Sequence, residues 1–203
     1  MSGPQLSEIR AQIEASIAAK QAVLADQALL KQLETLASRC HASLEAGGKI
    51  IFAGNGGSFA DSQHLSAEFT SRLRFDRAPL PSIALGTNSS SMSAIGNDYG
   101  YDQVFARELQ VIATSKDVFI GLTTSGNSPN LIAAVDVAQR FGIPTVIWTG
   151  DTGGKLRGVV ECFHVPSSDT ARIQECHMLL GHILCGLVEA ACFPQEHERW
   201  RQR

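Results

Sequence analysis

The sequence predicts an α/β fold: a three-layer α/β/α sandwich with a five-stranded parallel sheet, preceded by N-terminal helices. Five short apolar segments lack the apolar and polar alternation of half-exposed strands, which indicates strands buried on both faces. Stretches with helical spacing follow these segments, as expected for parallel strands joined by crossover helices. The 203 residues, 44% of them apolar, are enough to build such a core in one domain.

Residues 5–46 predict two helices, which we treat as an N-terminal extension covering residues 1–46. Apolar residues recur there at helical spacing, namely Ile9, Ile13, Ile17, Leu24, Leu29, Leu33, Leu36 and Leu44. Gly47 and Gly48 end the second helix. The apolar stripe of the first helix has two interpretations. It packs on a neighbouring element of the same chain, or it forms a contact between subunits.

The main domain spans residues 47–194 and alternates strands with helices. The predicted strands are residues 49–54, 81–85, 117–122, 143–149 and 162–165. The predicted helices are residues 59–73, 89–95, 129–141 and 170–192. Residues 195–203 are mixed in charge and predict a polar, solvated tail. Ligands of such sheets bind beyond the carboxyl ends of the strands, where the polar motifs of this chain fall.

Composition argues against several classes of protein. The net charge of −3 does not suggest a protein that binds nucleic acid, because such a protein would normally carry a basic stripe. His182 and Glu189 interrupt the most apolar segment, residues 178–193, which favours a buried helix over a membrane span. The N-terminus lacks the pattern of a signal peptide, and the five cysteines form no CxxC pair. We therefore expect a cytoplasmic protein with reduced thiols.

The first candidate binding segment is the glycine loop, residues 54–58, directly after the first strand. Its glycines allow the backbone to approach a ligand closely, and the helix that follows presents free N–H groups to an anion. The third glycine of a dinucleotide-binding motif is missing, since Phe59 occupies that position. The alternative interpretation is an ordinary tight turn.

Two further segments offer polar groups at strand ends. The hydroxyl loop, residues 123–128, carries the hydroxyls of Thr123, Thr124, Ser125 and Ser128 and runs into a helix that starts with Pro129. It contains no Lys or Arg, which favours a phosphate monoester held by neutral donors, although a simple helix cap is the alternative. Asn97 and Asp98, between two glycines, could hold sugar hydroxyls or could form a turn.

The acid, base and metal candidates lie on two helices. His64 and Glu68 are four residues apart and share a helix face, where they could bind a metal or transfer protons. A plain solvent-exposed face is the alternative, and Asp61 could support His64. On the last long helix, spacing does not decide whether Gln174 or Glu175 acts with His182. His182 could also be a buried core histidine.

Taken in order, these motifs resemble the phosphoheptose isomerases of the sugar isomerase (SIS) domain superfamily. The resemblance spans nearly the whole chain. The matching segments are residues 54–58, Asp61, residues 63–64, Glu68, residues 94–100, 124–128, 149–155 and 171–175, and His182.

The resemblance implies a SIS fold and isomerisation of sedoheptulose 7-phosphate to D-glycero-D-manno-heptose 7-phosphate, a precursor of surface polysaccharide. It implies Glu68 and His182 as the acid/base pair. It implies one zinc per subunit, held by His64, Glu68, Gln174 and His182. The implied substrate-binding residues are Asn55, Gly56, Gly57, Ser58, Glu68, Asn97, Asp98, Thr123, Thr124, Ser125, Ser128 and Gln174. The family is typically a homotetramer, which would give the N-terminal helices a partner.

Two alternatives share the fold. A non-catalytic SIS protein, of the replication initiator-associating type, would bind a protein partner and would not need Glu68 and His182, both of which are present. A sugar-phosphate-sensing regulatory domain would be expected to carry a DNA-binding appendage, which this chain lacks.

Overall fold

The computed structural model describes residues 4–203. Two helices come first, as predicted. Helix α1 (Pro4–Ala25) is followed after one residue by helix α2 (Gln27–Glu45). Asp26 caps α2, because its side chain accepts a hydrogen bond from the backbone N–H of Leu29. Leu33 and Leu36 on α2 are buried in the main core, so this helix is an integral part of the packed domain.

Within residues 4–203, five parallel strands form one sheet in the order β2-β1-β3-β4-β5, which confirms the predicted fold class. They are β1 (Ile50–Gly54), β2 (Ser82–Ala84), β3 (Val118–Leu122), β4 (Thr145–Thr149) and β5 (Glu161–His164). The chain leaves β1 toward one edge and returns to β3 on its other side. The switch point of the sheet therefore lies between the carboxyl ends of β1 and β3, where Gly54 pairs with Leu122.

Helices cover both faces of the sheet. They are α3 (Gly57–Thr70), α4 (Ser89–Tyr99), α5 (Val104–Ile112), α6 (Pro129–Arg140), α7 (Thr170–Cys192) and α8 (Pro194–Arg201). Alternate residues of β1 point to opposite faces. Phe52 joins the core beneath α2, α3 and α7, whereas Ile51 joins the core beneath α5 and α6.

Helix α7 is the central helix of the first of these cores. By length and composition it could cross a membrane, but half of its apolar window is buried inside the protein. Leu180 and Leu184 pack with residues of α2 and α3. This is the arrangement of a core helix, as the interrupted apolar pattern predicted.

The structure differs from the sequence prediction in three places. Helix α5 was not predicted, and α4 continues four residues beyond its predicted end. The segment expected to be a polar, solvated tail forms α8, although none of its residues is buried. The Trp200 ring lies 6.5 Å from the ring of Phe75, in the segment after α3, and the guanidinium of Arg74 lies 5.2 Å above Trp200. An aromatic contact at one position thus anchors an otherwise polar segment.

Candidate active site

Three of the predicted acid, base and metal candidates meet between α3 and α7. His64 Nε2 lies 3.2 Å from Glu68 Oε1 and 3.0 Å from His182 Nε2. Gly181 allows this approach, because a Cβ at that position would lie 2.5 Å from Leu65 of α3. His182 is half-buried and faces His64, so it is not the buried core histidine of the alternative interpretation.

The donor atoms of His64, Glu68 and His182 all lie within 4.8 Å of one another. Two imidazoles and one carboxylate are a usual protein donor set for a catalytic zinc, which leaves a further position for substrate. The Glu68 side chain is 17% exposed and that of His64 is 50% exposed, so the cluster opens toward solvent on one side. The residues present therefore fit a divalent metal of this kind.

The two candidates on α7 between which spacing did not decide, Gln174 and Glu175, have different surroundings. Glu175 accepts hydrogen bonds from Ser16 at 2.6 Å and from Arg172 at 2.6 Å, so it serves the contact with α1. Burial raises the pKa of Glu175, but the bond from Ser16 and the nearby Arg172 and Lys20 outweigh it and lower the pKa overall. Gln174 lies over the glycine loop, with its Nε2 atom 3.5 Å from Ser58 Oγ.

Asp61 does not support His64 in the expected way. One of its carboxylate oxygens is buried and accepts no hydrogen bond from the residues that the structure describes. Burial raises the pKa of Asp61, while the nearby His64 lowers it.

The glycine loop joins β1 to α3 as predicted. Gly56 has a φ of 56°, in the region that favours glycine, and Gly57 leaves space for the Gln174 amide. Asn55 and Asn130 exchange hydrogen bonds through their side-chain amides at 2.9 and 2.8 Å. Tyr101 also donates to Asn55 Oδ1 at 3.2 Å. The loop is therefore held on its β3 side by the first turn of α6.

The hydroxyl loop joins β3 to α6. Thr123 Oγ1 lies 3.1 Å from Ser128 Oγ and accepts a hydrogen bond from Gly126 N–H at 3.2 Å. Ser128 is the residue before α6, and among the described residues its side chain makes no capping hydrogen bond. Pro129 has no N–H and Leu131 N–H donates to Ser128 O at 3.1 Å, so Asn130 N–H is the amide of this turn that has no backbone partner within the described residues. This amide and the Ser128 hydroxyl are the groups that an anion at the start of α6 would contact, and anion binding here stays a prediction.

The loop after β4 packs against the hydroxyl loop. Gly126 has a φ of 67°, and a Cβ at that position would clash with the carbonyl group of Gly153 in the loop after β4. The Asn127 side chain accepts a hydrogen bond from Lys155 N–H at 3.0 Å in the same second loop. The loops after β3 and β4 are thus packed backbone to backbone.

Asn97 and Asp98 lie in the last turn of α4, not in a turn between two elements. Both are exposed, and Asn97 Nδ2 donates to Asp98 Oδ1 at 2.7 Å. Their expected contact with sugar hydroxyls stays a prediction. Asn130 and Tyr101, by contrast, were not singled out in the sequence. The signal that the sequence offered for Asn130 was its place in the first turn of the helix that follows the hydroxyl loop.

Comparison with known proteins agrees with this geometry. A family model described as the SIS domain matches residues 13–150. The phosphoheptose isomerase of Aneurinibacillus thermoaerophilus is 50% identical over 186 residues, which cover 91% of this chain and 94% of that protein. That of Burkholderia pseudomallei is 49% identical over 176 residues, which cover 86% and 89% of the two chains.

Two solved structures are similar over almost their whole length. The phosphoheptose isomerase from Neisseria gonorrhoeae superposes with a TM-score of 0.85 at 37% identity, covering 92% of this chain and 99% of that one. The enzyme from Francisella tularensis gives a TM-score of 0.86 at 32% identity, covering 93% and 99%. These matches show that the chain belongs to the SIS-domain family of phosphoheptose isomerases.

Proposed function

We propose that the protein converts sedoheptulose 7-phosphate to D-glycero-D-manno-heptose 7-phosphate by proton transfer through an enediol. The observation that carries this proposal is the cluster of His64, Glu68 and His182, whose first two members lie on α3, the helix that follows the glycine loop at the switch point. The relatives named phosphoheptose isomerase support the substrate class.

The reaction moves a proton between C1 and C2 of the sugar. One group must take the carbon-bound proton, and another must manage the proton on oxygen. We assign the first role to Glu68 and the second to His182, which His64 bridges by contacts of 3.2 Å and 3.0 Å. The hydroxyl loop and the N-terminus of α6 hold the phosphate, and this remote binding fixes the reacting carbons next to the pair.

We also propose one zinc ion per subunit, with His64, Glu68 and His182 as ligands and Gln174 as the fourth. When bound, zinc would polarise the substrate carbonyl and stabilise the oxyanion that develops on it. A metal-bound carboxylate is a weaker base, so the metal is tested below by chelation and the Glu68 carboxylate by substitution.

A homotetramer in the cytoplasm is the proposed working form, supplying activated heptose for surface polysaccharide. The outward face of α1 supports self-association. Its apolar side chains are between 44% and 69% exposed: Leu6, Ile9, Ile13, Ile17 and Leu24. Such a continuous apolar face is typical of an interface. The five cysteines are all free thiols, as a reducing compartment would keep them.

The test is a coupled isomerase assay with sedoheptulose 7-phosphate. We expect turnover by the metal-loaded protein, a loss of turnover on chelation, and recovery when zinc is added. Glu68→Gln should fold normally and lose at least about 100-fold in kcat, since an acid/base group has been removed. Glu198→Gln, the same change at an exposed position on α8, is the matched control.

Each outcome has a defined meaning. Near wild-type turnover by Glu68→Gln would refute its role as the base. Turnover that persists after complete metal removal would keep the isomerase and refute the functional zinc. An inactive wild-type protein with zinc bound would favour the partner-binding SIS class, and affinity capture of partners would follow.

A further inference from the structure

A buried ion pair connects the segment after α3 to helix α7 and has no part in the chemistry proposed above. Arg77, in the segment between α3 and β2, donates from Nε to Glu189 Oε1 of α7 at 3.0 Å. Each of the two side chains is only 1% exposed. Charges that are so fully buried need many partners, and the contacts of this pair show where those partners lie.

The guanidinium of Arg77 caps the C-terminal end of α3. Its Nη1 atom donates to the carbonyl oxygens of Phe69 at 2.8 Å, Ser71 at 3.1 Å and Ala78 at 3.0 Å. Its Nη2 atom donates to the carbonyl oxygen of Glu68 at 2.8 Å. Carbonyls in the last turn of a helix have no partners within the helix, and here one side chain satisfies several of them.

The other half of the pair belongs to the helix that carries His182. Glu189 Oε1 accepts a hydrogen bond from Leu73 N–H at 3.1 Å, and Oε2 accepts one from Arg74 N–H at 3.1 Å. The carboxylate thus binds the chain directly after α3 twice through the backbone and once through Arg77. Glu189 is seven residues after His182, about 10 Å along the α7 axis.

We propose that the Arg77–Glu189 pair is a positioning device that sets the Glu68 carboxylate against His182. It joins the backbone of Glu68 itself to the helix of His182, which fixes both the rotation of α3 and its distance from α7. The inference rests on the proposed roles of Glu68 and His182.

The chemistry of the pair fits positioning better than bulk stabilisation. A buried ion pair contributes little net stability compared with apolar residues of the same volume, because desolvation offsets the attraction. The rigid fork of Arg, however, directs several hydrogen bonds at fixed angles, which Lys cannot reproduce. The Phe193 ring, 5.6 Å from the guanidinium carbon, restricts Arg77 further.

The test uses the full-length protein and two variants, Arg77→Lys and the double variant Arg77→Met with Glu189→Leu. The first keeps the charge and loses the fork; the second keeps the packing and loses the pair. We expect kcat to fall about 10-fold or more, with KM changed less than about 3-fold, because the phosphate loops are untouched. The affinity of the His64, Glu68 and His182 cluster for Co²⁺, measured by titration calorimetry, should fall about 10-fold.

The control is the ion pair of Lys49 and Asp117, 2.8 Å apart at the amino ends of β1 and β3, in which Asp117 is 1% and Lys49 27% exposed. The double variant Lys49→Met with Asp117→Leu should lower the thermal midpoint while leaving kcat and Co²⁺ affinity near wild type. If the apolar Arg77 and Glu189 variant does not fold, Arg77→Lys carries the comparison alone.

The proposal is overturned if folded Arg77→Lys keeps wild-type kcat and Co²⁺ affinity. It is also overturned if the control pair loses as much kcat for the same drop in thermal midpoint, because the pair would then be merely structural. An inactive wild-type protein would refute the proposed function, while Co²⁺ affinity would still test positioning. If the wild type binds no Co²⁺, the ring nitrogen chemical shifts of His64 and His182 provide the comparison, and unchanged shifts in Arg77→Lys overturn the proposal.

Discussion

His177 and His182 lie on the same helix, yet their surroundings differ. His182 is half-buried and faces His64, whereas His177 is fully buried beneath the Trp148 ring at a centroid distance of 6.0 Å. The Nε2 atom of His177 lies 3.4 Å from the Thr149 carbonyl oxygen. Burial lowers the pKa of His177 to about 4, and the bond to Thr149 opposes this only in part. His177 is therefore a neutral core residue at physiological pH.

This burial predicts a pH dependence of stability. The unfolded chain binds the proton near pH 6.5 and the native state only near pH 4, so protonation favours unfolding. The contribution is fully present above pH 6.5 and is lost as the pH falls toward 4, by roughly 3 kcal/mol in total. Urea unfolding of the chelated protein from pH 7 to pH 4 measures it. His177→Gln, which does not titrate, should show a shallower decline; parallel profiles for the two proteins would contradict the prediction.

Individual site residues differ in how far sequence could identify them. His64 and Glu68 could be paired, since helical spacing alone places them on one face. The partner of His182 could not be chosen, because it depends on the close approach of α7 to α3 at Gly181. The role of Arg77 could likewise not be predicted from the sequence, because its partners are backbone carbonyls and a carboxylate 112 residues away.

At the scale of elements, the side chains of Asn55 and Asn130 hydrogen-bond to each other across the switch point of the sheet. Their two mutual hydrogen bonds connect the two loops to which we assign sugar phosphate binding. Asn130 is 2% exposed, so its amide has no easy substitute from solvent.

We therefore expect Asn130→Ala to weaken substrate binding. Asn55 loses one donor and one acceptor partner, and the glycine loop is no longer held in place. An unpaired buried polar group costs about 1–3 kcal/mol, so KM should rise about 5-fold to 100-fold. kcat should change less, because the acid/base pair lies on other elements. Gln139→Ala, an exposed amide on the same helix, is the control. Steady-state kinetics with an unchanged KM for Asn130→Ala would contradict this role.

Most elements were predictable because their apolar residues are strongly periodic or continuous. Helix α5 was missed, although Val104, Phe105 and Leu109 bury one of its faces. It follows a short 3-10 turn, and Gln103 at its start makes no side-chain capping bond, so the usual start signal is missing. In α4, Gly96 suggested a turn, but the helix continues until Gly100 with its φ of 89°. A glycine inside the pattern therefore does not end this helix, whereas the glycine with a positive φ does.

On the scale of the whole molecule, helix α1 combines a contact with α7 and an exposed apolar stripe. One side packs on α7, where Ser16 and Lys20 contact Glu175. An apolar stripe that includes Ile9 and Ile13, each 55% exposed, lies directly beside this contact, because Ser16 and Lys20 follow these two residues by seven positions, or about two helical turns. The stripe predicted in the sequence therefore exists, and within the described chain it is not covered by the same subunit.

If this stripe is the subunit contact, a charge within it should weaken assembly. Ile13→Asp is expected to shift the mass from tetramer toward smaller species, because a carboxylate would be buried without a partner. Size-exclusion chromatography with light scattering measures this. Ala11→Asp adds the same charge to α1 outside the stripe and should leave the mass unchanged. An Ile13→Asp protein with the wild-type mass would exclude the stripe as the contact.

The packing of Gly126 against Gly153 has a consequence for redesign. The loops after β3 and β4 touch through their backbones at Gly126 and Gly154, so neither glycine has room for a side chain unless the other loop moves. A library that diversifies the hydroxyl loop alone, Gly126 included, would mostly sample loops with a disturbed backbone. Exchange of substrate preference between relatives should treat residues 123–128 and 150–155 as one inseparable cassette, transplanted together.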